Sequence, residues 1–109
     1  MTLLLLLLTL AAVSPVTLSL DRRLGFAPLS ITVDVHIPRH IDNRAACVAI
    51  GGAKTENSCW QLEGDQEPRT VFTRYWLGLP AGRYVAGAWL ERRTETIRTP
   101  LYEITVLGE

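Results

Sequence analysis

Neither sign of charge is in surplus: the 109 residues hold 11 Lys or Arg and 11 Asp or Glu, and no long run of one sign breaks the balance. A protein that wraps nucleic acid or lies on an anionic membrane shows a basic stripe, so neither partner is expected. Catalytic signatures are missing as well. There is no Gly-x-Ser-x-Gly elbow, no His-Glu-x-x-His and no phosphate-cradling glycine loop, and no serine adjoins either histidine. The expectation is a non-enzymatic chain with no cofactor. Helical periodicity is scarce too: past the N-terminal leader no long window repeats its apolar residues every 3.6 positions, which excludes a helical bundle.

What is present begins with leucine. Leu3 to Leu8 is unbroken, and Thr9, Leu10, Ala11, Ala12 and Val13 extend an apolar stretch of signal-peptide length. A membrane span needs about 20 apolar residues, and Pro15 ends the pattern first. Residues 1–14 are therefore expected to be an export signal cut between Ala11 and Ser14, which makes the mature protein secreted or extracytoplasmic with no membrane span. The alternative is an uncleaved N-terminal anchor, with Arg22 and Arg23 as flanking positive charges.

Residues 15–109 read as one domain, the size of a single modest core. Val16, Leu18 and Leu20 alternate with Thr17, Ser19 and Asp21, and Ile31, Val33, Val35 and Ile37 alternate with polar partners until Pro38. Period 2 marks strands with one buried face. "RAACVAIGG", "NSCWQLEGD", "RTVFTRYWLGL", "LPAGRYVAGAWLERR" and "TPLYEITVLG" continue the rhythm with turn residues between them. About seven short strands in a chain this size predict an all-β, antiparallel two-sheet sandwich.

Two segments carry a family resemblance. Gly25, Ala27, Pro28, Leu29, Ile31 and Val33 match the "G-x-A-P-L-x-V-x-V" opening of PKD-type and related bacterial immunoglobulin-like domains, and "LPAGRYVAGA" supplies the "G-x-Y" that often starts their penultimate strand. The chain thus resembles an immunoglobulin-like sandwich. The resemblance implies that Gly25 and Pro28 shape a turn between the first two strands. It also implies that Tyr84 is a tyrosine-corner residue, with its ring in the core and its hydroxyl on nearby backbone.

The two cysteines lie on successive strands. If Ala46, Val48 and Ile50 point inward, Cys47 points outward; if Trp60 and Leu62 point inward, so does Cys59 point outward. A hairpin through "GGAKTENS" then sets the thiols side by side on one outer face, and an exported domain permits their disulfide. The spacing lacks the Cys-x-x-Cys form of redox and zinc sites.

Two clusters are candidate sites. Asp34 and His36 share a strand face, and His40 and Asp42 follow Pro38, a His and carboxylate set of the kind that binds zinc or another transition metal; the competing reading is the polar face of a half-buried strand and its turn. A calcium set of Asp42, Asn43 and Asp65 lacks an Asp-x-Asp ladder and reads better as a turn. Trp60 is assigned to the core. Tyr75, Trp76 and Trp89 cannot all point inward, so some aromatic surface is expected, to contact a protein or to stack on sugar. The function expected is a secreted or surface-held binding or assembly module that contacts protein. Carbohydrate binding is the alternative, and a metal-binding or enzymatic accessory role comes after it. The short strand Val16–Leu20 also offers an edge for self-association.

Overall fold

The computed structural model describes residues 15–108, so the leader and its cleavage region lie outside the described residues. Strands β1 (Thr17–Leu20), β2 (Leu24–Phe26), β3 (Leu29–His36), β4 (Asn43–Gly52), β5 (Glu56–Gln61), β6 (Val71–Leu79), β7 (Gly82–Arg92), β8 (Thr96–Arg98) and β9 (Tyr102–Leu107) are joined by turns and one 3-10 turn, Gly64–Gln66. They form two sheets. The smaller has the order β1-β3-β6; the larger runs β2-β9-β7-β4-β5, with β8 pairing the far end of β7.

Alternation builds the core. Leu29, Ile31, Val33 and Val35 of β3 face Ala46, Val48 and Ile50 of β4 and Tyr84, Ala86, Ala88 and Leu90 of β7 across the sandwich, and all are buried. Phe72, Trp76 and Leu79 fill it from β6, Ile104 and Val106 from β9, and Val16 and Leu18 from the N-terminal end. Small Ala46, Ala86 and Ala88 share this core with the large rings of Trp76 and Tyr84.

Three departures from the sequence reading have physical causes. The described strands number nine rather than seven, because Leu24–Phe26 and Thr96–Arg98 are only three residues each and too short to show a period. Leu24–Phe26 falls inside the stretch read as a turn. It leaves the first sheet and pairs parallel with β9, so the sandwich is antiparallel apart from that one pair. Trp76, predicted as a surface candidate, is a core residue at 1% exposure. It shares the inward face of β6 with Phe72, and Gly78, at φ 64°, adds one residue to β6 so that Leu79 turns inward as well. The register records this extra residue: Ile31 pairs Trp76, whereas Leu29 pairs Leu79.

Gly52 shows where the backbone demands glycine. Its φ is 154°, and a Cβ there would run into the carbonyl of Arg83 and lie 2.9 Å from Tyr84 Cδ1. No other residue fits without opening the end of the β4–β7 ladder.

Candidate functional site

The outer face of the larger sheet is built from the positions that alternate with the core. Ala45, Cys47, Ala49 and Gly51 point outward from β4, and Val85, Gly87, Trp89 and Glu91 from β7. Cross-strand register lines them up: Cys59, Cys47, Trp89 and Arg98 form one row across β5, β4, β7 and β8. Asn57, Ala49 and Gly87 form the next row, and Gly51 lies opposite Val85.

Cys47 and Cys59 are directly opposed, with Cα atoms 4.1 Å apart, and are joined by a disulfide. Cys47 nevertheless has no exposure. Its neighbours in the row, the Cys59 sulfur on one side and Trp89 on the other, cover it, so an outward position becomes a buried one. Trp89 is half-buried and held by two groups: its Nε1 donates to Glu91 Oε2 at 2.9 Å, and the Arg98 guanidinium sits 5.8 Å from its ring centroid.

Beside Trp89 the small side chains leave a groove of about 300 Å³, lined chiefly by Ala49, Gly51, Gly87, Val85, Trp89 and Leu101, with Thr55, Thr99 and Arg98 also on its walls. Leu101 leans over Gly87, where a Cβ would meet its Cδ2 at 2.8 Å, while a Cβ on Gly51 would meet nothing within 4 Å. Leu101 is 73% exposed and Val85 44%, so apolar surface continues out of the groove. Thr99 is already committed, accepting from Ala88 N–H at 3.0 Å and donating to the Pro100 carbonyl. The groove can hold an apolar group and offer it one cation, Arg98, which makes no ion pair among the described residues. A nucleophile paired with a base is absent from this lining.

The other sequence candidates lie elsewhere. Tyr75 is 60% exposed on the outer face of the smaller sheet, opposite Thr32, so it shares no platform with Trp89. The three aromatics named as surface candidates thus lie in three separate places, Tyr75 on one sheet face, Trp89 on the other and Trp76 in the core, so Trp76 is the one corrected. Trp60 is half-buried, its ring 5.3 Å from that of Phe72. Asp34 accepts from Thr73 Oγ1 at 2.6 Å on β6, and His36 pairs with Val71. His40 and Asp42 are in the turn after Pro38, 4.0 Å apart, and Asp42 N–H donates to His40 Nδ1. Among the described residues no three acids, histidines or cysteines converge as a metal site, so the four predicted ligands are not brought together. Asn43 shows why the turn departs from the strand: it is buried, donates to the Pro38 carbonyl at 2.8 Å and accepts from Arg92 Nε at 3.0 Å.

Tyr84 is buried and its hydroxyl donates to the Pro80 carbonyl at 2.6 Å. Gly25 faces inward, and a Cβ on it would meet Leu29 Cδ1 at 2.7 Å; the Ala27–Pro28 bond is cis. The titrating groups that stand off their ordinary values, Glu67 and Arg69, form an ion pair at the start of β6 rather than in the groove. The hydrogen bond from Arg69 Nε to Glu67 Oε2, 2.7 Å, holds the Glu67 carboxyl below its usual value and Arg69 above its own.

Sequence reasoning reached Trp89 and the disulfide but missed Val85, Gly87, Gly51, Leu101 and Arg98. Parity from the buried Ala86 and Ala88 was enough to place Val85 and Gly87 outward, whereas Leu101 and Arg98 join the site only through strand pairing.

No family profile matches the chain, and no curated protein does either. Solved structures share its fold. An engineered protein of the Northeast Structural Genomics Consortium aligns over 88% of this chain at 17% identity and a TM-score of 0.52, although the chain spans only 21% of that protein. A chain from a structural study of T cell specificity and activation by the bacterial superantigen toxic shock syndrome toxin-1 aligns over 84% of this chain and 99% of its own, at 13% identity and a TM-score of 0.50. Such identities speak to fold alone.

Proposed function

We propose that this chain is a secreted or surface-held, non-catalytic binding module, an immunoglobulin-like sandwich of the PKD type that takes a protein partner on the outer face of its larger sheet. The apolar groove between Trp89, Val85 and Leu101 carries the reading: concave, lined by small and aromatic residues and continuous with exposed apolar surface. The immunoglobulin-like part draws support from the strand order, from the short β2 that crosses to pair parallel with β9, and from the Tyr84 hydroxyl on Pro80 backbone. Export is supported by the leucine-rich leader and the disulfide. Among the described residues no helix is long and apolar enough to cross a membrane.

Protein is favoured over sugar by Arg98. A pyranose stacks on an open aromatic face, and the guanidinium 5.8 Å from the Trp89 centroid occupies one. A groove with an aromatic wall and an arginine rim has the composition of a protein hot spot. The test plugs the groove. Gly51→Tyr projects into open space, so the variant keeps its unfolding midpoint. A photocrosslinking side chain at Leu101 should then capture a discrete protein in the wild-type background and lose it in Gly51→Tyr. Equal capture in both backgrounds, or binding on a glycan array that Gly51→Tyr abolishes, refutes the protein reading.

A further inference from the structure

We infer that β6 is a self-pairing edge, through which two copies of this chain join antiparallel into one continuous sheet. The groove lies on the other sheet, so this inference stands apart from the proposed function. β6 ends the smaller sheet, and its open side has no strand partner among the described residues. Thr70 carbonyl accepts from Ile37 N–H and Gly78 N–H donates to Ser30 Oγ, so even-numbered residues direct their backbone toward β3. Val71, Thr73 and Tyr75 therefore present theirs to the open side. Lys54 Nζ, which reaches the Leu77 carbonyl from that side at 3.4 Å, marks where the open stretch stops.

The strand reads VFTRYWLGL, with one charge in nine residues. That charge, Arg74, is matched by Glu56 of its own chain at 3.7 Å. On the outer face Val71 and Tyr75 are 45% and 60% exposed. Proteins usually guard such an edge with charge, proline or a cover, and an edge left long and apolar is a template for another strand. A second copy is the occupant because the strand complements itself in one register. Two-fold pairing centred on Arg74 opposes two guanidinium groups, which like charges disfavour. Centring on Tyr75 needs the Leu77 carbonyl that Lys54 holds. Centring on Thr73 leaves Lys54 in place, sets Val71 against Tyr75 of the second copy twice on the outer face, and lays Arg74 beside Phe72 of the second copy.

Sedimentation of the full chain, produced in an exporting host, should give twice the mass that mass spectrometry finds for the purified chain. Thr73→Pro removes an open-side N–H that β3 does not use, and should return the protein to monomer. Because that variant can fail to fold, Tyr75→Lys and Val71→Glu at exposed positions serve as well: each alone should raise the dimer dissociation constant at least tenfold, and the two combined in one chain should restore dimerisation by pairing Glu with Lys across the two-fold. A monomer at millimolar concentration overturns the inference, as does a dimer that survives Thr73→Pro or Tyr75→Lys unchanged.

Discussion

Removing the disulfide should cost this domain a large share of its stability. Cys47 and Cys59 are 12 residues apart, and closing a loop of that length lowers the entropy of the unfolded chain by roughly 9.5 cal/mol/K, or about 3 kcal/mol at 25 °C. Folded domains of this size stand only about 5–15 kcal/mol above the unfolded state. The melting entropy of such a chain is about 0.2 kcal/mol/K, so the loss translates into a drop in Tm of about 15 °C. Double replacement, Cys47→Ala with Cys59→Ala, is the cleaner perturbation, because reduction alone leaves two thiols in contact and Cys47 has no exposure through which to solvate one. Urea unfolding of the oxidised protein and of the double variant measures the difference, with intact mass before and after reductant as the control. Two outcomes refute the reasoning: a mass that reductant leaves unchanged, or a double variant whose midpoint matches the oxidised protein.

The reassignment of the aromatics is testable by contrast. Trp76→Ala should cost about 3–5 kcal/mol by opening a cavity between the sheets, whereas Tyr75→Ala, exposed in the single chain, should stay within about 0.5 kcal/mol in urea melts run at protein concentrations where the chain is monomeric; a loss for Trp76→Ala as small as that for Tyr75→Ala would place Trp76 on the surface after all. The Glu67–Arg69 pair should make stability depend on pH. A carboxyl held below its ordinary 4.5 stabilises the fold above that value and stops doing so as pH falls through its folded-state value. Arg69→Met should therefore be less stable than wild type at pH 7, with the gap closing below pH 4.5; a gap that is the same at pH 3 and pH 7 would mean that the ion pair contributes nothing.

The sandwich was legible because period 2 is a strong signal wherever one face is buried. β3 alternates over its eight residues, long enough to be read by eye. The disulfide followed from the same parity applied to two neighbouring strands, and the register Cys47 opposite Cys59 is the one the hairpin length implied. Illegible parts share one cause, that pairing partners are set by topology rather than by local pattern. Nothing within "DRRLGFAP" says that Leu24–Phe26 will cross to a strand some 80 positions later, and β9 supplies the hydrogen-bonding edge that makes three residues a strand. Trp76 was misplaced because adjacent aromatics give two equally regular parities, and only the extra residue at Gly78 decides between them.

The same topology explains why the groove is on the larger sheet. A concave site on a pleated surface needs several adjacent strands with small outward residues, and β4 and β7, at the middle of that sheet, are adjacent strands each paired on both sides. Ala49, Gly51 and Gly87 can be small there because the ladder, not their side chains, holds the backbone. The disulfide then fixes β5 to β4 one row below, where it also supports the inner edge of Trp89. Glycine costs strands about 0.5–1 kcal/mol each in conformational freedom, and the cross-link offsets that loss on the very face where the glycines are concentrated. The smaller sheet has no such centre: each outer strand is an edge, and its one long apolar edge, β6, is suited to meeting another strand rather than to enclosing a ligand.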